Sequence, residues 1–167
     1  GDQGSCENRG VSGRRARGMS VVFRLAGVAD VPAVVALLRD DMLGQAREGL
    51  DMDDYIAAFQ QMQSEGHNHL IVGESDGRIV ATYQLTFIRG LSLRAARRAQ
   101  IESVRVAGDM RGQQIGEALI GDAENRARAA GCSLMQLTMN ASRTDSARFY
   151  QRVGFTPSHI GYKRDLT

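Results

Sequence analysis

The stretch Arg111-Gly112-Gln113-Gln114-Ile115-Gly116-Glu117-Ala118 constrains the fold more than any other part of the chain. A strand-like run, Gln100 to Val106, precedes it, and a helical pattern beginning near Ile115 follows it. A glycine-bearing turn between a strand and a helix start leaves several backbone N–H groups unpaired. They converge on one spot at the positive end of the helix dipole. Such a spot binds anions, most often a phosphate or pyrophosphate. Gly112 and Gly116 lack a Cβ, so a ligand can approach the backbone closely. Arg111 adds a fixed positive charge.

Two phosphate loops are excluded. A dinucleotide fingerprint needs three glycines as G-x-G-x-x-G. A nucleoside-triphosphatase loop needs Gly-Lys-Ser/Thr, and the single lysine of the chain is Lys163. By itself the segment also fits an ordinary helix start with a spare arginine.

At 167 residues the chain reads as one domain with a sizeable core. Residues 1–20 are rich in Gly, Ser and Arg and hold four arginines against Asp2 and Glu7, a net +2, which equals the formal charge of the whole chain. They read as a disordered or vector-derived tail, and 21–167 as the folded domain. A domain near neutrality argues against a nucleic-acid partner. No apolar run approaches the roughly 20 residues of a membrane span, and no secretory signal is visible. Cys6 falls in the tail and Cys132 before an apolar strand, so a disulfide is not expected and the cytoplasm is the expected compartment.

Val21 to Leu25 reads as a strand. Asp30 and Pro32 open a helix carrying Val31, Val34, Val35, Leu38 and Met42 at helical spacing. Gly44 and Gly49 mark a loop, a helix starts at Asp51 or Asp53, and Gly66 ends it. His69 to Glu74 and Ile79 to Ile88 form a hairpin around Ser75-Asp76-Gly77-Arg78. Gly90 to Arg98 is an arginine-bearing loop. In the strand Gln100 to Val106, alternation puts Glu102, Val104 and Val106 on one face and Ile101, Ser103 and Arg105 on the other. A helix from Ile115 stops at Gly131, Leu134 to Met139 is a strand, and Asp145 caps a helix closed by Gly154. Ser158 to Asp165 reads as a last strand. The order is β-α-α-β-β-β-α-β-α-β, an α/β chain around a mixed sheet.

Two motifs carry a resemblance. Arg111 to Glu117 resembles the acetyl-CoA pyrophosphate loop of the GNAT superfamily of N-acetyltransferases, commonly Gln/Arg-x-x-Gly-x-Gly/Ala. Arg111 and Gly116 match, with Gln114 where a glycine is commoner. Ala147-Arg148-Phe149-Tyr150-Gln151-Arg152-Val153-Gly154-Phe155 is similar to the superfamily segment Ala-x-x-Phe/Leu-Tyr-x-x-x-Gly-Phe. The two occur in the family's order. More narrowly, Thr138-Met139-Asn140, Arg143-x-Asp145, Arg148-Phe149-Tyr150, Ser158-His159 and Lys163-x-x-Leu166 resemble the aminoalkylphosphonate N-acetyltransferases.

The resemblance implies a mostly antiparallel, twisted sheet flanked by helices, with acetyl-CoA as donor co-substrate. It implies direct transfer to a small-molecule amine in a ternary complex, with no acyl-enzyme; Cys132 lies at the wrong strand end for a nucleophile. In that scheme Arg111, Gly112, Gln113, Gln114, Ile115, Gly116 and Glu117 hold the pyrophosphate. The backbone of Val104, Arg105 and Val106 pairs with the pantetheine arm. Tyr150 is the acid that protonates the departing sulfur, and Glu102 the base, with a water held by Ser103 as the alternative. Asn140 holds the CoA chain or the acceptor, or is simply a turn residue. Arg89 to Arg98 are compatible with an anionic acceptor. A homodimer is the family's frequent state. His67 and His69 form an H-x-H read as plain loop, with no metal expected. The rival reading is a CoA-binding sensor or partner module without transferase activity.

Overall fold

A computed structural model describes residues 20–40 and 49–167. The expected tail, but for Ser20, and the positions Met42 and Gly44 lie outside them. Strand β1 (Val22–Leu25) leads through a 3-10 turn into helix α1 (Val31–Arg39), and helix α2 (Met52–Glu65) follows. Strands β2 (Asn68–Ser75), β3 (Arg78–Arg89) and β4 (Arg97–Val106) come next. Helix α3 (Ile115–Ala129), strand β5 (Leu134–Leu137) and helix α4 (Thr144–Arg152) complete the series. The five strands form one sheet in sequence order, antiparallel except for the β4–β5 pair. This is the expected mixed α/β class.

Strand parity sorts the helices onto the two faces. Ala81, Tyr83 and Leu85 alternate along β3 and join Leu119, Ile120 and Ala123 of α3 in the main core. Leu70, opposite Gln84, belongs to a smaller cluster with Val31 and Val35 of α1 and Phe59 of α2. Of the helical stripe read for α1, Val31, Val34 and Val35 are buried and Leu38 is half-buried, while Leu37, not part of that reading, is buried in the main core. The hairpin turn holds Asp76 and Gly77 at φ 50° and 76°, as a two-residue type I′ turn requires. No helix among the described residues is long and apolar enough to cross a membrane.

Four expectations are corrected. The alternation along β4 fails at a bulge. Thr82 faces Arg105 and Gln84 faces Glu102, so Ser103 and Val104 together oppose Tyr83. Ser103 takes φ 53° there. One extra residue flips the strand's parity, which puts Glu102 and Arg105 on one face with Thr82 and Gln84. Second, 158–165 forms no strand: Ile160, Tyr162 and Leu166 are exposed, and the edge strand β5 offers only four residues for pairing. Third, β5 stops at Leu137 rather than Met139. Fourth, α4 starts at Thr144, so Asp145 sits in its first turn and does not cap it.

Candidate active site

β4 is paired on one edge over its whole length and on the other over less than half. β5 meets it only from Arg98 to Ile101. Past Ile101, among the described residues, the β5-facing edge of β4 has no strand partner. Val104, Arg105 and Val106 continue against β3 there, through Thr82 and Ala81. The sheet thus opens between β4 and β5, exposing an edge that an extended chain can join.

The chain leaves this edge through a 3-10 turn, Gly108–Met110, anchored by the buried Met110. Arg111, Gly112, Gln113 and Gln114 are exposed and Ile115 is buried. Gly112 and Gln114 have φ 77° and 61°, two left-handed residues just before the helix. No side chain caps α3. Its first-turn N–H groups therefore remain available to a ligand.

The two glycines of the loop differ. A Cβ at Gly112 would stand in open space, so the backbone is approachable. A Cβ at Gly116 would meet the Phe149 ring at 3.1–3.4 Å. Gly116 is where α4 seats its aromatic residue, not an open approach for a ligand. Glu117 turns outward to Arg152 at 3.3 Å. The loop helix and α4 are thereby locked together.

That lock positions Tyr150. Its ring lies 5.2 Å from that of Phe149 and 5.9 Å from that of Phe155. Burial pushes the phenol's pKa up, against the opposing pull of the Arg105 and Arg143 guanidiniums. The group is protonated at neutral pH and can donate a proton. Arg105 comes from the open edge of β4, where its Nη1 donates to the Val104 carbonyl at 2.9 Å. Arg143 stands at the start of Tyr150's own helix, whereas the influence of Arg105 was not readable from sequence, because it comes from a strand remote in the chain.

Glu102 and Ser103 are exposed at the bulge, on the face covered by α1 and α2. An apolar cavity of about 120 Å³ has Ser103 in its lining. Asn140 is exposed; its Oδ1 accepts from the Ser142 N–H at 3.0 Å and hydroxyl at 2.6 Å, and its carbonyl from the Arg143 N–H at 3.0 Å. That geometry is a turn.

Other residues do not gather here. Arg89 faces Arg97 at the far end of the β3–β4 hairpin. Arg97 donates to the Ala130 carbonyl at 2.6 Å and stacks over Phe87 at 5.1 Å. Five residues of strand, roughly 16 Å, separate Arg97 from Glu102. Cys132, at that same end, is half-buried, and burial pushes its thiol pKa up. His67 Nδ1 lies 3.3 Å from Arg97, and the His69 ring is 5.5 Å from that of Phe87. His159 is paired with its neighbour Ser158 at 2.7 Å.

The sequence profile described as the Acetyltransferase (GNAT) family matches residues 32–155. Aminoalkylphosphonate N-acetyltransferase of Salmonella typhimurium is 42% identical over 67 residues, which is 40% of this chain and 44% of that protein; the match spans less than half of the relative's length. L-methionine sulfoximine/L-methionine sulfone acetyltransferase of Pseudomonas aeruginosa is 27% identical over 82% of this chain and 81% of its own. Among solved structures, a protein described as a transcriptional regulator from Bacillus halodurans superposes with a TM-score of 0.84 at 38% identity, covering 88% of this chain and 100% of that one.

Proposed function

This chain belongs to the GNAT acetyltransferase family and carries its acetyltransferase domain, and from that premise we propose that it transfers acetyl from acetyl-CoA directly to the primary amine of a small molecule in a ternary complex. The observation that carries the reading is the meeting of two features: the open edge of β4 past Ile101 and the uncapped start of α3. An extended pantetheine arm suits the first and a pyrophosphate the second. The backbone of Val104, Arg105 and Val106 pairs with the arm. Arg111 and the backbone from Gly112 to Glu117 hold the pyrophosphate.

Acetyl-CoA, when bound, supplies the acetyl group as a thioester. Glu102 takes the proton that a cationic amine must lose before attack, directly or through a water held at Ser103. A backbone N–H near Val104 steadies the charge that develops on the carbonyl oxygen. Tyr150 returns a proton to the sulfur that leaves. Cys132, at the opposite end of the sheet opening with a raised thiol pKa, takes no part. The named substrates of the two curated relatives, an aminoalkylphosphonate and a methionine analogue, are both small primary amines, which supports an acceptor of that size.

The rival, a CoA-binding module without transfer, has one observation on its side: the structural neighbour described as a transcriptional regulator. Two measurements separate them. Thiol release from acetyl-CoA across a panel of amines reports transfer, and calorimetry reports CoA binding. Arg111→Glu places a negative charge at the anion site and should weaken acetyl-CoA at least tenfold, about 1.4 kcal/mol. Unchanged affinity would remove the donor assignment, and tight CoA binding with no thiol release for any amine would favour the rival.

A further inference from the structure

The cavity beside Glu102 speaks to the acceptor. Val31, Val35 and Leu38 of α1, Phe59 and Met62 of α2, and Leu70 of β2 wall it. Thr82, Gln84 and Ser103 form its floor, and no charged side chain among the described residues lines it. The floor's polar groups are mostly spoken for. The Thr82 hydroxyl donates to the Ile71 carbonyl at 2.8 Å, and Gln84 Nε2 to Asn68 Oδ1 at 2.7 Å. A carboxylate or phosphonate inside would lose water and meet no counter-charge. Arg105 shares this face through its pairing with Thr82, but it is engaged with the Val104 carbonyl and acts on Tyr150.

The cavity has a cause in the fold. The bulge of β4 falls at Ser103, a small side chain, and α2 contributes the small Ala58 to the lining. It also neighbours the candidate base. Ser103 in its lining is one residue from Glu102, and the Gln84–Glu102 register sets Glu102 on the cavity's own face. An amine held at Glu102 would have this apolar space beside it.

We propose that the acceptor is a primary amine bearing an unbranched apolar side chain, seated in the cavity between α1, α2 and the β4 bulge. The proposal rests on the transferase reading above. A volume of about 120 Å³ holds about four or five non-hydrogen atoms, given that a cavity of roughly 150 Å³ takes benzene. The acidic acceptors suggested by the arginine-bearing hairpin do not suit this space.

The test uses the full chain with acetyl-CoA and the acceptors alanine, 2-aminobutyrate, norvaline and norleucine, with aspartate and aminoethylphosphonate as acidic counterparts. kcat/KM should rise about fourfold with each added methylene and be lower for the two acids than for 2-aminobutyrate. Ala58 is exposed on α2, so Ala58→Phe should fold, with melting temperature and calorimetric CoA affinity as controls. It should fill the cavity and cut the norleucine-to-alanine ratio at least tenfold. Acetylation that ignores side-chain length, or that favours the acids, would overturn the apolar subsite while leaving the transferase reading intact. A ratio unchanged in a folded Ala58→Phe protein would do the same. CoA binding with none of these or other amines acetylated would instead bring down the transferase reading, and this subsite with it.

Discussion

Tyr150 holds its phenol between the rings of Phe149 and Phe155, where burial keeps the proton on against the pull of Arg105 and Arg143. Tyr150→Phe deletes the hydroxyl and preserves those ring contacts. If the hydroxyl protonates the leaving sulfur, kcat should fall by about 10²–10⁴-fold with acetyl-CoA affinity nearly constant. Steady-state kinetics beside calorimetry checks this, and a wild-type kcat would make Tyr150 a packing residue. The pH dependence follows from the raised pKa. The protonated phenol is the active form, so its contribution is complete up to the ordinary tyrosine value near about 10 and is lost only as pH rises through the higher folded value. Arg105→Gln removes a charge that favours the phenolate and should move that alkaline limb further up. Gln114 is the other residue of interest. The family pattern favours glycine there, and φ 61° explains why; a non-glycine residue held in that region carries about 1–3 kcal/mol of strain, here beside the proposed anion site.

Between elements, the contact of Gly116 with Phe149 joins the proposed donor loop to the helix of Tyr150. Gly116→Ala gains helix propensity, about 1 kcal/mol, but its Cβ would crowd the ring at 3.1 Å. Overall stability should therefore change little, while α4 shifts and Tyr150 with it. kcat should fall by about tenfold, because small misplacements of a catalytic group have large effects. Adding Phe149→Leu to Gly116→Ala should restore part of it by making room. A Gly116→Ala enzyme with normal kcat would show that the contact does not position Tyr150. The turn before α3 was legible in the sequence because glycine, arginine and a helix start leave a compositional trace. The opening of the sheet was not. It depends on β5 pairing for four residues and then stopping, while the alternation of apolar residues runs on past that point to Met139. The β4 bulge was equally hidden, since its left-handed residue is Ser103, not a glycine, and an alternating pattern read through it gives the wrong face for Arg105.

On the scale of the molecule, periodicity carried most of the fold. Most of the α1 stripe and the type I′ hairpin were readable because burial on one face writes itself into the spacing. The expected last strand at 158–165 shows the limit: alternation there is real, but strand formation needs a partner edge, which lies elsewhere in the chain. Polar ties across layers are also invisible to spacing. Tyr83 is fully buried in the sheet, and its hydroxyl donates to Asp122 of α3 at 2.5 Å. Arg126, one turn on, donates to the same carboxylate oxygen at 2.8 Å and to the Phe23 carbonyl of β1 at 3.3 Å. Asp122 thus ties the sheet centre, α3 and the β1 edge through one side chain. Asp122→Ala leaves a buried hydroxyl without its acceptor and a half-buried guanidinium without its counter-charge. It should cost about 3 kcal/mol, or roughly 6–12 °C in melting temperature at this chain length. Tyr83→Phe removes only the donor and leaves the Asp122–Arg126 pair intact, so it should cost about 1 kcal/mol. Thermal melts of both variants decide the matter. Equal losses would show that the hydroxyl, not the shared carboxylate, is the joint, and no loss in Asp122→Ala would mean that packing alone holds α3 on the sheet.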